Sequence, residues 1–267
     1  MSTAHPSASP NPVPNSVPNP VLNPVLNPVP NPVPGSMPGA GAPSGCPFGH
    51  GAAASPTVMD QLKARTRDAH MATEAIPFSA AMVERRLPRD RYVGQLAAYA
   101  VVHRSLDGHL AGSAHPALRA VWQPDLAKTP LLEADLRFFA SDVAAPSSSI
   151  GGAIAAGERV AARIDELAAA QPLALLGFLY VLEGSTLGAT ILREHIAASH
   201  GLTLADGALG LAYYSPYGNA VMPHWKLFRE RMNLAVPSAA DQEIVVEAAR
   251  EAFQRIGEIL SALSVDL

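Results

Sequence analysis

The chain has 267 residues, 48% hydrophobic and 16% charged, with a formal net charge of -4 and a pI near 6.1. That balance excludes the basic field that dominates nucleic-acid binding, so no nucleic-acid partner is expected. The single cysteine, Cys46, excludes an intrachain disulfide framework and fits a reducing compartment.

Residues 1 to 54 hold 14 of the 25 prolines and no Lys, Arg, Asp or Glu, so every charge belongs to the remaining 213 residues. From Pro10 to Pro34 a four-residue unit of Pro or Leu, Asn, Pro or Ser, and Val repeats. Proline at this density blocks helix and ladder pairing alike, which predicts a disordered, partly polyproline II tail and linker over 1–54. Cys46-Pro47 with His50 resembles short heme-responsive motifs, although a linker is the simpler reading. The N-terminus lacks the cationic start and apolar core of a secretion signal. No apolar run reaches spanning length without a charge, and the protein is read as cytoplasmic with no membrane segment.

Residues 55–267 are the length of one ordinary domain. Thr57 is a candidate N-cap for a first helix from Val58 to about Ile76, ended by Pro77. Within it Lys63, Arg67, His70 and Glu74 fall at i, i+4, i+7 and i+11, a single stripe. Such a stripe is commonly a solvated face. It also suits chemistry: His70 as an axial metal ligand, Glu74 as acceptor for its other ring nitrogen, and two cations for anionic groups on a ligand.

A short helix is predicted over Ser79 to Arg86. Pro88 opens a long one with Tyr92, Leu96, Tyr99, Val102, Leu106 and Leu110 facing the core. His103 and His109 lie on it without a second ligand at metal spacing. Leu131 to Phe139 and Ile150 to Ala170 read as two further helices.

Pro172 then opens the most apolar helix, closed near Gly201. Gly184 and Gly188 interrupt it on one face, and each costs about 1 kcal/mol relative to alanine. Two readings stand: close backbone approach to something flat, with carbonyls freed by a local bend, or close packing of another helix. Tyr213, Tyr214 and Tyr217 follow in a loop and are read as packing residues. A helix carries Trp225, Lys226, Phe228, Arg229 and Arg231, and Ser238 caps the last, Ala239 to Leu263. No segment alternates as a strand does. The fold class is all-α, a single-domain layered helical bundle.

Three separated segments carry a resemblance. Leu62-Lys63-x-x-Thr66-x-x-x-His70-x-x-x-Glu74, then Tyr180-Val181-Leu182-Glu183-Gly184-Ser185-Thr186-Leu187-Gly188, then Tyr217-Gly218 with Trp225 to Asn233, resemble the heme oxygenase family over residues 57 to 264. The resemblance implies a heme-oxygenase-like bundle holding heme b, cofactor and substrate at once, between two helices. His70 matches the axial ligand to the iron and Glu74 the acidic residue that accepts from its imidazole. Gly184 and Gly188 match the distal glycines, and Lys63, Arg67 and Arg229 match cations near the propionates.

Animal members carry an aspartate just after the first distal glycine, where this chain has Ser185. A distal network built from the Ser185 hydroxyl and freed carbonyls is therefore expected. The activity implied is cleavage of heme with O2 to biliverdin, carbon monoxide and ferrous iron. No flavin or nicotinamide fingerprint is present, so electrons are expected from an external reductase or ferredoxin. Iron acquisition and supply of a bilin-binding photoreceptor both suit such a product. The alternatives are a non-catalytic heme carrier or sensor, and a di-iron oxidase on the same fold; the chain has no Glu-x-x-His pair for the latter.

Overall fold

The structure, a computed structural model, describes residues 55–141, 147–204 and 209–267, so the predicted tail and Cys46 lie outside it. Among the described residues there are ten α-helices and no strand: α1 Val58–Arg65, α2 Arg67–Glu74, α3 Pro77–Val83, α4 Arg89–Gly112, α5 Pro116–Val121, α6 Thr129–Phe138, α7 Ser148–Ala170, α8 Leu175–His200, α9 Val221–Ala235 and α10 Ala239–Leu263. The all-α expectation holds.

The first helix begins as its sequence requires. Thr57 and Asp60 form a reciprocal capping box, with each side chain accepting the other's backbone N–H. The helix does not run on to Ile76, however. It bends at Thr66, whose hydroxyl donates to the Leu62 carbonyl at 2.7 Å. Such i to i−4 back-bonding is known to bend helices. Pro77 also acts in the opposite sense from that expected, because α2 has already ended at Glu74 and Pro77 sits at the first position of α3. The α5 helix was not foreseen.

The core is the contact of α4 with α7, of α7 with α10 and of α10 with α8. Fully buried Tyr92, Leu96, Leu106 and Leu110 of α4 occupy the face that the periodicity predicted. α8 is long and apolar enough to cross a membrane by composition, but 67% of its apolar window is buried inside the protein. It is a core helix, and Gly201 at φ 65° ends it in the left-handed conformation that glycine adopts freely.

Close helix packing falls on other glycines than the predicted pair. A Cβ at Gly177 of α8 would lie 2.5 Å from the Val245 carbonyl oxygen and 2.6 Å from the Ala249 nitrogen of α10. A Cβ at Gly188 would meet nothing within 4 Å. Gly177→Ala is therefore expected to destabilise the protein by about 1–3 kcal/mol, since backbone cannot rotate aside. Gly188→Ala in the heme-free protein is expected to be neutral or to gain up to about 1 kcal/mol of helix propensity. Urea unfolding of both variants checks the contrast.

Candidate functional site

α2 buries none of its residues fully. It lies on α10, where the His70 ring meets Phe253 edge-on with centroids 5.9 Å apart. α8 is not among its principal neighbours. His70 keeps 28% of its side chain exposed, and burial of the rest holds its pKa below the ordinary value, which leaves a neutral imidazole able to ligate. Glu74 Oε1 stands 3.6 Å from His70 Nε2, a charge-pair distance longer than a hydrogen bond. Burial also raises the Glu74 pKa. The bend at Thr66 separates Lys63 from Arg67, so the predicted stripe is divided between two helices.

α8 supplies the second surface. It stays helical through Gly184 and Gly188, so the expected interruption is absent. The carbonyls nonetheless acquire extra partners: Ser185, Thr186 and Thr190 hydroxyls donate to the carbonyls of Leu182, Glu183 and Leu187, each three residues back, at 2.7, 2.7 and 3.0 Å. Gly188 is open, and a Cβ at Gly184 would meet only the Trp225 indole, at 3.6 Å. Ser185 is exposed between them. Tyr180, one turn earlier, packs obliquely against Trp225 with ring centroids 6.0 Å apart.

The three predicted cations are all exposed. Lys63 and Arg229 both lower the pKa of Asp60 by their charge, after its bonds to Thr57, so α1 and α9 bring them to one side. Arg67 begins α2, one turn before His70. A wide cleft of about 1130 Å³ lies elsewhere, between α2, the end of α7 and α10. Its arginines are engaged: Arg163 pairs with Glu166 and Glu251, and Arg250 with Glu247. That cleft offers no spare cation for an anionic ligand.

Behind the glycine face lies a charge cluster that the sequence did not reveal. Lys128, 2% exposed, donates to Glu183 Oε2 at 2.7 Å, to the Tyr217 hydroxyl at 2.8 Å and to the Leu126 carbonyl at 2.8 Å. Burial and the Glu183 carboxylate push the Tyr217 pKa far up. Glu183 Oε1 has no hydrogen-bond partner. The only sequence signal was Glu183 itself, a charge within an apolar helix that demands a buried partner; nothing marked Lys128 as that partner.

Next to it, Asp107 Oδ2 accepts from the Lys128 and Thr129 backbone N–H groups at 3.0 and 2.9 Å and from the Thr129 hydroxyl at 2.6 Å. Burial raises the Asp107 pKa, but the neighbouring His103 ring and the bonds from Thr129 outweigh it and leave the value below the ordinary 3.8. A depressed carboxylate pKa stabilises the fold fully above the unfolded value and loses that contribution as pH falls through the folded value. Asp107→Asn should therefore cost about 1–3 kcal/mol at pH 7, and the gap from the parent protein should narrow below pH 3.8. Unfolding at pH 7 and pH 3 measures both.

The residues present fit heme. A neutral, partly exposed imidazole on one helix, an open glycine face on a second, and exposed cations to one side meet the needs of a flat ligand with an iron and two carboxylates. Among the described residues no group of three metal-ligating side chains occurs.

The chain matches the model of the heme oxygenase family over residues 57–262. Among solved structures it resembles heme oxygenase from Leptospira interrogans, with 21% identity, a TM-score of 0.68 and coverage of 77% of this chain and 99% of that one. Synechocystis heme oxygenase-1 in complex with heme gives 21% identity and a TM-score of 0.66, covering 77% and 91%. Synechocystis heme oxygenase-2 in complex with heme and NO gives 19% and 0.68, covering 78% and 85%. A search of curated proteins finds no match. With bend, glycine face and imidazole in the arrangement described and the family match covering its whole helical domain, the chain belongs to the heme oxygenase family.

Proposed function

We propose that the protein binds heme b between α2 and α8 and degrades it with O2 and an external reductant to biliverdin, carbon monoxide and ferrous iron. The observation that carries this is the combination of a partly exposed, neutral His70 with the open backbone at Gly188. His70 would hold the iron, with Glu74 turned to its ring as acceptor. Lys63, Arg67 and Arg229 would receive the propionates, which fixes the in-plane orientation of the ring and therefore which edge is oxidised.

When bound, heme supplies the oxygen chemistry and is itself consumed. The chain's own part is to exclude bulk water with Trp225 and Tyr180, to keep side chains away from the face at Gly184 and Gly188, and to present the Ser185 hydroxyl there. No nucleotide-binding fingerprint is seen in the sequence, so a separate reductase or ferredoxin would deliver electrons. The cytoplasm suits such a donor, and a bilin-binding photoreceptor is one outlet for the product.

Titration with hemin, followed by ascorbate in air, tests the proposal. One equivalent of hemin should generate a Soret band that decays into biliverdin absorption. A Soret band that persists would indicate a carrier, and no band at all would reject the site.

A further inference from the structure

α9 packs on the domain with one face and leaves an apolar ridge on the other. Val221, Trp225, Phe228 and Met232 are its buried residues. Pro223, Leu227, Glu230 and Leu234 fall at i, i+4, i+7 and i+11 on the opposite side of the helix, and all four are exposed. Leu227 keeps 45% of its surface and Leu234 82%; with Met222 they are three of the eight large hydrophobic residues exposed among the described residues. Apolar side chains scattered singly over a surface need no explanation, but three on one helix of 15 residues do.

Cations flank the ridge on both shoulders, Lys226 and Arg229 on one side and Arg231 on the other. Glu230 is the only acid of α9, so the helix carries a charge of +2 in a chain of -4. Unlike the arginines of the α10 cleft, Lys226 and Arg231 are not spent on carboxylates among the described residues.

We propose that α9 is a membrane-contacting helix, whose Leu227 and Leu234 enter the surface of an anionic bilayer while Lys226, Arg229 and Arg231 stay at headgroup level. The charge selects a negative partner, and the shape selects a fluid one. The ridge is a single file of side chains, with its two leucines about 10 Å apart along the axis. A stable protein interface takes about 800 Å² from each partner, more than such a ridge supplies. A lipid surface asks only for an apolar edge set between cations.

Heme delivery follows from this placement, a step that rests on the heme reading above. Arg229 belongs both to the shoulder of the ridge and, with Lys63, to the cations that gather at Asp60. A bilayer against α9 therefore lies on the side of the domain where the propionates would be received. Heme is largely apolar and collects in lipid, so it would pass into the site without crossing bulk water.

Sedimentation of the full-length, heme-free protein with vesicles tests the surface. The parent should pellet with vesicles of equal parts phosphatidylcholine and phosphatidylglycerol and stay in solution with phosphatidylcholine alone. Leu227→Ser combined with Leu234→Ser should weaken binding at least about tenfold, and Arg231→Gln about fivefold. Leu209→Ser, at an exposed leucine outside α9, should bind as the parent does. A parent that stays in solution with both vesicle types overturns the proposal, as does a double leucine variant that binds like the parent. The same holds if the parent ignores vesicles and velocity sedimentation shows a dimer that the double variant splits, because the ridge then pairs two copies.

Hemin dissolved in the mixed vesicles should be consumed with ascorbate severalfold faster by the parent than by the double variant, whereas hemin in water should be consumed equally fast by both. Equal rates from vesicles overturn the delivery step. Vesicle binding is read without heme, so its failure and the failure of the heme reading are distinguishable.

Discussion

His70→Ala is expected to abolish heme degradation, with consumption falling by more than about 100-fold, beyond what removal of a ligand's outer-shell partner costs. Heme is largely apolar, so hemin should still associate with the space between α2 and α8; its iron spectrum should change, because the axial nitrogen is gone. The fold should survive. α2 buries no residue fully, and removing a ring that is 28% exposed and touches Phe253 at its edge loses little packing. Added imidazole should reoccupy the vacated position and restore the spectrum. Glu74→Gln should act in the same direction but more weakly, about tenfold, because Glu74 acts only through the histidine. Unchanged iron absorption in His70→Ala would mean that the ligand is another residue.

The second large effect is on stability. Lys128→Met leaves the Glu183 carboxylate buried at 2% exposure with its ammonium partner removed. Breaking one side of a buried pair costs about 3–5 kcal/mol. Replacing both members, as Lys128→Met with Glu183→Leu, should recover most of that loss, because two desolvation penalties disappear together. Urea unfolding of the single and double variants measures the difference. If Lys128→Met alone were as stable as the parent, the pair would not be held as described. The pair also bears on the site: Glu183 immediately precedes Gly184, so Lys128 fixes the start of the glycine face to the turn before α6.

The sequence disclosed what depends on local spacing. His70 and Glu74 four apart, the capping box at Thr57, the apolar period of α4 and the glycine pair of α8 are all patterns within one element. Tertiary relations were hidden. Gly177 lies in the same apolar helix as Gly184 and Gly188, and only the approach of α10 distinguishes the packing glycine from the open ones. Thr66 bends the first helix through a bond to its own preceding turn, which a helical threonine can make or leave unmade.

Pro77 follows the same logic, since a proline both terminates one helix and starts another. Lys128 pairs with Glu183 across 55 residues, and His103 meets Tyr213 across 110. His103 reads as an isolated histidine on a core helix because the hydroxyl it meets, that of Tyr213, comes from the loop before α9. The tyrosines of that loop read as packing, and Tyr214 is that; Tyr213 and Tyr217 also carry the polar contacts behind the glycine face.

The most direct measurement is the product balance of a single turnover: protein loaded with one equivalent of hemin, reductant and catalase present, carbon monoxide trapped, and biliverdin and chelated ferrous iron quantified. One biliverdin, one carbon monoxide and one ferrous iron for each heme lost is the expected result. Heme that bleaches without biliverdin and carbon monoxide, or that stays intact under reductant and air, would contradict the account.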